Sequence, residues 1–237
     1  MKVVKEGFIH QLNFYPTLFP VNCYFVEEEN ELTLVDTALP NSYKSILEAA
    51  QKIGKPLTRI VLTHAHGDHI GSLDKLKEML PDAKVYMSKR DERLLRGDRT
   101  LDENENKTPI KGGVLKPGEI KTQPDVLLQE GDRIGSLKAI STPGHTPGSM
   151  SFIDERTKAI IAGDAFQTRG GVAVSGHFQI LFPFPAMATW NKEDALKSAM
   201  KIKKQNPTLL AVGHGKMIKQ PASIIELAIS KLEETIS

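Results

Sequence analysis

Ile60-Val61-Leu62-Thr63-His64-Ala65-His66-Gly67-Asp68-His69 decides how this chain is read. The apolar opening is a short buried strand. It empties into a turn that carries four imidazole or carboxylate side chains within six residues. Beyond the turn, Ile70, Leu73, Leu76 and Leu80 recur at helical spacing until Pro81 stops the run. A loop between a strand's carboxyl end and a helix is a usual place for a site in an α/β protein. Imidazole nitrogen and carboxylate oxygen are ligands that zinc accepts. On a tight turn, side chains at i and i+2 can face one way while the next pair faces another, so one loop could serve two neighbouring cations. A lone histidine is ordinarily a satisfied core or surface residue. A cluster this dense arises by chance on the order of once in a few thousand chains.

Upstream, apolar and alternating runs predict strands over 8–14, 21–28 and 32–36. Asn41 or Ser42 then caps a helix whose face is Tyr43, Ile46, Leu47, Ala50 and Ile53, and Gly54 closes it. Downstream, residues 96–113 are polar and aperiodic, which predicts an exposed connection between two halves of one domain, with the boundary near 96–125. Strands are expected again over 126–128, 133–141, 150–153 and 159–162. Asn191 starts a helix with Glu193 and Asp194 in its first turn and Lys201, Lys203 and Lys204 in its last, matching the macrodipole at both ends. A strand over 209–212 and a helix from Pro221 finish the chain. Each half reads as strands first and helices afterwards, a pattern that suits two sheets packed face to face with helices outside.

Three more polar residues stand where apolar strands end. His145 lies between the two turns of Thr142-Pro143-Gly144-His145-Thr146-Pro147-Gly148, which would hold an imidazole rigidly. Asp164 closes the run at Ala162-Gly163-Asp164, where an unpaired carboxylate would be costly. His214 lies in Gly213-His214-Gly215. With the first cluster they make seven candidate ligands.

On these residues the chain resembles the metallo-β-lactamase superfamily. Its His-x-His-x-Asp-His signature is matched by His64 to His69, and its later His, Asp and His by His145, Asp164 and His214. Asn22-Cys23-Tyr24 and Val35-Asp36-Thr37 resemble its amino-terminal pattern. The resemblance implies a four-layer αββα sandwich, α/β in class, with the site at one edge between the sheets. It implies that His64, His66 and His145 bind one metal, that Asp68, His69 and His214 bind a second, and that Asp164 bridges them. Zinc is the expected metal, with iron or manganese as alternatives.

Zinc β-lactamases lack a bridging aspartate at the position of Asp164, so the match is to the glyoxalase II-like and lactonase-like branches. Glyoxalase II carries a carboxyl-terminal glutathione-binding helical domain, whereas only residues 216–237 follow the Gly213-His214-Gly215 turn. Acyl-homoserine lactonases of this kind place a tyrosine where Gln167 stands. The expected activity is hydrolysis of an ester, lactone or thioester by a metal-activated water that the second oxygen of Asp68 orients. The alternatives are a phosphodiesterase or nuclease, a mononuclear iron enzyme resembling persulfide dioxygenases, and a non-enzymatic module stabilised by zinc, although structural zinc sites are usually closed and thiolate-rich. Phe166, Phe178, Phe182, Phe184 and Trp190 follow Asp164 closely and are either a packing cluster or an apolar wall for substrate.

Composition agrees with this. An apolar fraction of 40%, a charged fraction of 25% and a net charge of +2 are ordinary for a globular protein, and the charge gives no reason to expect nucleic acid. The single cysteine, Cys23, reads as a packing residue in a strand. No secretory leader is visible and no run approaches the roughly 18 apolar residues of a membrane span. A cytoplasmic protein acting on a small carbonyl substrate is expected, without a membrane partner and with a homodimer allowed. His10 and His177 are assigned no role.

Overall fold

The computed structural model describes residues 1–236. Strands β1 (Lys2–Glu6), β2 (Ile9–Phe14), β3 (Val21–Glu27), β4 (Leu32–Val35), β5 (Leu57–Val61), β6 (Lys84–Ser88) and β7 (Val126–Leu128) form one seven-stranded sheet in sequential order. It is antiparallel through β4 and parallel from there on. A six-stranded sheet follows. Strands β8 (Arg133–Ile134), β9 (Leu137–Ser141), β10 (Met150–Asp154) and β11 (Ala159–Ile161) make up one side of it. Beyond a small ribbon of β12 (Phe166–Gln167) and β13 (Ala173–Val174), strands β14 (Leu209–Ala211) and β15 (Ile218–Lys219) extend it past β11. The helices are α1 (Tyr43–Ile53), α2 (Gly67–Ile70), α3 (Leu73–Met79), α4 (Lys89–Leu95), α5 (Phe184–Ala188), α6 (Lys192–Lys204) and α7 (Ala222–Ile236).

The central strands are apolar on both faces, and their period of two sorts the residues into layers. In β3, Cys23 and Phe25 pack toward Ile46 and Ala50 of α1, while Tyr24 and Val26 face the other sheet. In β11 and β14, Ile160 and Leu210 pack toward α6 and α7, while Ile161 and Ala211 face inward. Helix, sheet, sheet, helix is therefore the order of layers, as the sequence resemblance implied. Fully burying a large apolar side chain contributes about 1.5–3 kcal/mol, and a two-faced strand spends none of its residues on solvent. Cys23 is completely buried and its thiol pKa is pushed well up by that burial, so it is a packing residue.

Asn191 caps α6 through its side chain, accepting from the Asp194 amide at 2.9 Å, as its sequence position predicts. The helix expected from Ile70 to Leu80 is two pieces. Gly71 breaks it because its amide donates to Ala38 O at 2.9 Å, and a Cβ there would lie 2.7 Å from Pro40. The strand expected over 133–141 is a hairpin that turns at Gly135, whose φ of 58° suits glycine. The sequence reading missed β1, β6, β12, β13, β15, α4 and α5. The connection expected to be exposed over 96–113 is so only in part. Arg90 and Arg93 pin its acidic stretch through Asp98, Asp102 and Glu105, and from Ile110 onward it dips into the first core, the one between the seven-stranded sheet and α1.

Candidate metal centre

Strand ends deliver every candidate ligand to one place. β5 ends at Val61, and the loop behind it carries His64 and His66 before α2 presents Asp68 and His69. The loop after β9 carries His145, the single 3₁₀ turn after β11 carries Asp164, and the loop after β14 carries His214. Three sets of ligand atoms each lie within 4.8 Å of one another: His64, His66 and His145; His64, His69 and Asp164; and Asp68, His69 and His214. All seven residues singled out in the sequence are thus brought together, and all but Asp68 are buried.

The five imidazoles share one logic. Each gives one ring nitrogen to a protein acceptor and turns the other toward the common space. His64 Nδ1 lies 2.9 Å from Thr63 Oγ1, which itself donates to Asp36, so the histidine must be the donor. His69 Nδ1 donates to Asp36 Oδ2 at 2.8 Å, His145 Nδ1 to Ser175 Oγ at 3.0 Å, and His214 Nδ1 to Pro20 O at 2.7 Å. His66 is reversed: its Nε2 donates to Lys111 O at 3.1 Å, which leaves Nδ1 inward, 3.0 Å from His145 Nε2. Hydrogen bonds of this kind set tautomer and ring orientation in metal-binding histidines.

Inward-facing atoms are left without hydrogen-bond partners. His64 Nε2, His69 Nε2 and Asp164 Oδ1 are buried and make no hydrogen bond, an arrangement that would be costly unless something else occupied the space. Asp164 reaches both sides. Its Oδ2 lies 3.4 Å from His145 Nε2 and 3.1 Å from His214 Nε2, and its Oδ1 lies 3.4 Å from His69 Nε2. Asp68 Oδ2 lies 3.4 Å from His214 Nε2.

Electrostatics divides the histidines. Burial lowers the pKa of His64, of His66, and of His145, which is pushed down to about 3, so these three are neutral ligands-in-waiting. Burial pulls the same way on His69 and His214, but the carboxylates of Asp164 and Asp68 outweigh it and raise both. Asp164 and Asp68 thus draw His69 and His214 toward their protonated forms, and a cation held by these ligands would take the place of those protons. Imidazole and carboxylate donors with unpaired inward atoms fit divalent metals of the zinc, iron or manganese kind.

Two carboxylates behind the ligands were not read from the sequence as supports. Asp36, at the end of β4, has a φ of 61°, a left-handed conformation that Asp adopts more readily than most residues. Its two oxygens hold the Thr63 amide, the Thr63 hydroxyl and His69. Asp91, on α4, is fully buried. It accepts from Ala65 N at 3.0 Å, Thr146 Oγ1 at 2.7 Å and Gly148 N at 2.8 Å, tying the His64–His69 loop to the His145 loop. From β2 and β3, Gln11, Asn22 and Tyr24 hold the backbone of the His214 loop through Val212 O and Gly215 O.

The aromatic residues after Asp164 separate into two roles. Phe166 belongs to the core against α6 and α7, and Trp190 belongs to the first core, its Nε1 donating to Thr108 O at 2.7 Å. Phe178 is exposed, outside the lining of the metal-site cavity. Only Phe184 of that group lines this cavity of about 340 Å³, joined by Phe19, Pro185, Met187, Ala188, Gly112 and Gly113. Phe182 is buried behind Phe184 and His214, its ring 5.2 Å and 5.4 Å from theirs. Phe19 was missed because it lies in a loop far from Asp164 in sequence. Gln167, where the lactonase-like pattern has tyrosine, is buried and bonded to Phe182 O. Of the remaining histidines, His10 faces Glu27 at 3.0 Å and His177 lies near Thr235, both away from the centre.

This arrangement belongs to a known class. The sequence profile of the Metallo-beta-lactamase superfamily matches residues 16–214, and the chain belongs to that family, a superfamily of metallo-hydrolases. It is 57% identical to "Uncharacterized protein YobT" of Bacillus subtilis over 99% of this chain and 100% of that one. It is 30% identical to "Probable metallo-hydrolase YflN" of the same organism, covering 82% of this chain and 80% of that one. Among solved structures it resembles TTHA1623 in a di-iron-bound form, at 26% identity and a TM-score of 0.63, over 90% of this chain and 96% of that one.

Proposed function

We propose that the chain is a dinuclear metal-dependent hydrolase of esters, lactones or thioesters that carry an apolar acyl or aryl group. The observation that carries this reading is the set of unpaired inward atoms on His64, His69 and Asp164, with Asp164 reaching both groups of histidines. His64, His66 and His145 would hold one cation and Asp68, His69 and His214 the other, with Asp164 shared between them. When bound, two divalent cations supply Lewis acidity, polarising a carbonyl oxygen and making water a nucleophile at neutral pH.

The chain's own residues supply the rest. Asp68 is the one ligand that reaches solvent, its side chain 25% exposed. Burial raises its pKa, but His69 and His214 prevail and hold it below the usual carboxylate value, so it is ionised at neutral pH. Its Oδ2 faces His214, and its other oxygen is available to accept a proton from water at the cavity floor. Phe19, Phe184, Pro185 and Met187 line the approach and exclude bulk water. That lining contains no lysine or arginine. A polyanionic phosphate chain needs cationic partners in the same space, so a carbonyl substrate is favoured over a phosphodiester.

The test is a substrate panel on protein of known metal content: aryl esters of increasing acyl length, an acyl lactone, a thioester and bis-p-nitrophenyl phosphate. We expect about two metals per chain and ester or lactone turnover that increases with chain length. A best rate on the phosphodiester would overturn the reading.

A further inference from the structure

The apolar lining of the metal cavity does not stop at its mouth. Tyr15, Leu18, Ile180, Leu181, Phe184 and Met187 are large apolar residues between 51% and 86% exposed. They lie on two segments that touch, the loop after β2 and the stretch that leads into and includes α5. Arg169 donates to Thr17 O at 2.6 Å, Gly170 abuts Leu181, and the ring of Phe19 lies 5.2 Å from Phe182 and 5.1 Å from Phe184. Residues 170–191 contain no Asp, Glu, Lys or Arg. A cluster of exposed large apolar residues on touching segments is the kind of surface that serves as an interaction site. Phe184 and Met187 belong to both the surface and the catalytic cavity, so its occupant must leave that cavity open to substrate.

A second feature adjoins the first. Past Pro16 and Pro20 lies a cavity of about 610 Å³ whose lining includes Lys2, Arg169 and Lys216. Its one lining carboxylate, Glu6, is already paired with Lys219 at 2.6 Å. Two buried atoms in this lining have no hydrogen-bond partner, Asn13 Oδ1 and Arg169 Nε. Cations beside an unpaired acceptor suit a headgroup that carries both anionic oxygens and a hydroxyl.

We propose that this face docks on an anionic lipid surface, with the apolar loops entering the acyl region and the basic cavity meeting headgroups, and that the enzyme takes an amphiphilic ester from that surface. The substrate half of this inference rests on the hydrolase reading above; the docking half does not. A second copy of the chain is the rival occupant. A copy seated on these loops would cover the cavity mouth, and it would need an acidic counterpart to the basic cavity. Docking of this kind needs no membrane-spanning helix, and none of the described helices is long and apolar enough to be one.

The experiment is flotation of the metal-loaded protein with vesicles of phosphatidylglycerol or of phosphatidylcholine, together with hydrolysis of a short water-soluble aryl ester. We expect flotation with phosphatidylglycerol, much weaker flotation with phosphatidylcholine, and weakening in high salt. The double variant Leu18→Ser, Leu181→Ser should lose at least about tenfold in vesicle affinity while its kcat/KM on the soluble ester and its metal content stay at wild-type values. Lys216→Glu should weaken binding to phosphatidylglycerol selectively. Absence of flotation with either lipid, or undiminished flotation of the double variant, overturns the proposal. So does a wild-type dimer that the double variant dissolves and that ignores vesicles. If flotation behaves as expected but the soluble ester is not cleaved, docking stands and the hydrolase reading falls.

Discussion

Residues 63–69 and residues 170–190 both border the same cavity, yet they are built in opposite ways. In the first, the histidine rings and backbone amides are pinned: Asp36 holds Thr63 and His69, Asp91 holds Ala65, and Lys111 holds His66. The second presents Ile180, Leu181 and Met187 to solvent and carries no charge. A metal site tolerates little displacement of its ligands, because affinity depends on geometry and on the groups behind them. An apolar wall tolerates much more, because burial is non-directional and scales with area. On the function proposed above, one side of the cavity would govern chemistry and the other would govern which substrate reaches it. Mutations on the two sides should fail in different measurements.

The largest effect is expected at Asp164, the bridge in the proposed dinuclear site. Asp164→Ala removes the carboxylate that approaches His69, His145 and His214. Both metals should be lost together, with affinity falling by more than about a hundredfold. Elemental analysis after dialysis checks this. One tightly held metal in the wild type, unchanged in the variant, would contradict a shared bridge.

Behind the ligands, Asp36→Asn keeps shape but leaves an amide facing groups that donate. It should lower metal affinity by about 10–100-fold, more on the side of His69 than on that of His145. Titration with a chelator at graded strengths would show two unequal losses. Equal losses would mean that the two metals are not held independently by their own supports.

Much of this was legible in the sequence, for a physical reason. Ligands sit where apolar strands stop, and strand ends are marked by composition, so His64 to His69, His145, Asp164 and His214 could be named. Their supports were harder to see. The partners of His66 and His214 are the backbone carbonyls of Lys111 and Pro20, which any residue would provide. Asp91 lies on α4, a short helix whose sequence, Lys89-Arg90-Asp91-Glu92-Arg93, reads as solvated charge. Only the meeting of the two ligand loops shows that one of those charges is buried. The aromatic stretch failed for another cause. It has no periodicity, so nothing separates Phe184, which lines the cavity, from Phe166 and Trp190, which fill the cores.

Asp91 gives the third prediction, smaller and tied to pH. Burial raises its pKa to about 6 from an ordinary 3.8, against the opposing pull of Thr146, Ala65 and Gly148. A raised folded-state pKa means that ionisation is disfavoured in the fold. The associated stability is complete below the ordinary value and is lost as pH rises through about 6. The loss is on the order of 3 kcal/mol. Asp91→Asn removes that dependence while sacrificing one acceptor. Apo-protein denaturation should therefore show the wild type's advantage over the variant shrinking from pH 4.5 to pH 7. An advantage that is flat or grows over that range would mean the carboxylate is ionised throughout and stabilised by its three donors.

The smallest effect belongs to the mouth. Phe184 is half exposed and lines the cavity, whereas Phe182 is buried behind it against Phe19 and His214. Each CH₂ that an acyl chain buries contributes about 0.8 kcal/mol, or roughly fourfold in kcat/KM. Phe184→Ala removes part of the surface that does the burying, so the gain per CH₂ should fall to roughly twofold, with metal content unchanged. Phe182→Ala opens a cavity beside His214 instead. It should cost about 3–5 kcal/mol of stability and lower turnover on short and long esters alike. The pair thus separates wall from support within two residues of each other. If both variants altered chain-length preference equally, Phe182 would have to reach substrate. If neither did, the acyl group would have to lie on the side of Gly112 and Gly113, where a side chain at position 112 would sit 2.5 Å from the His66 ring.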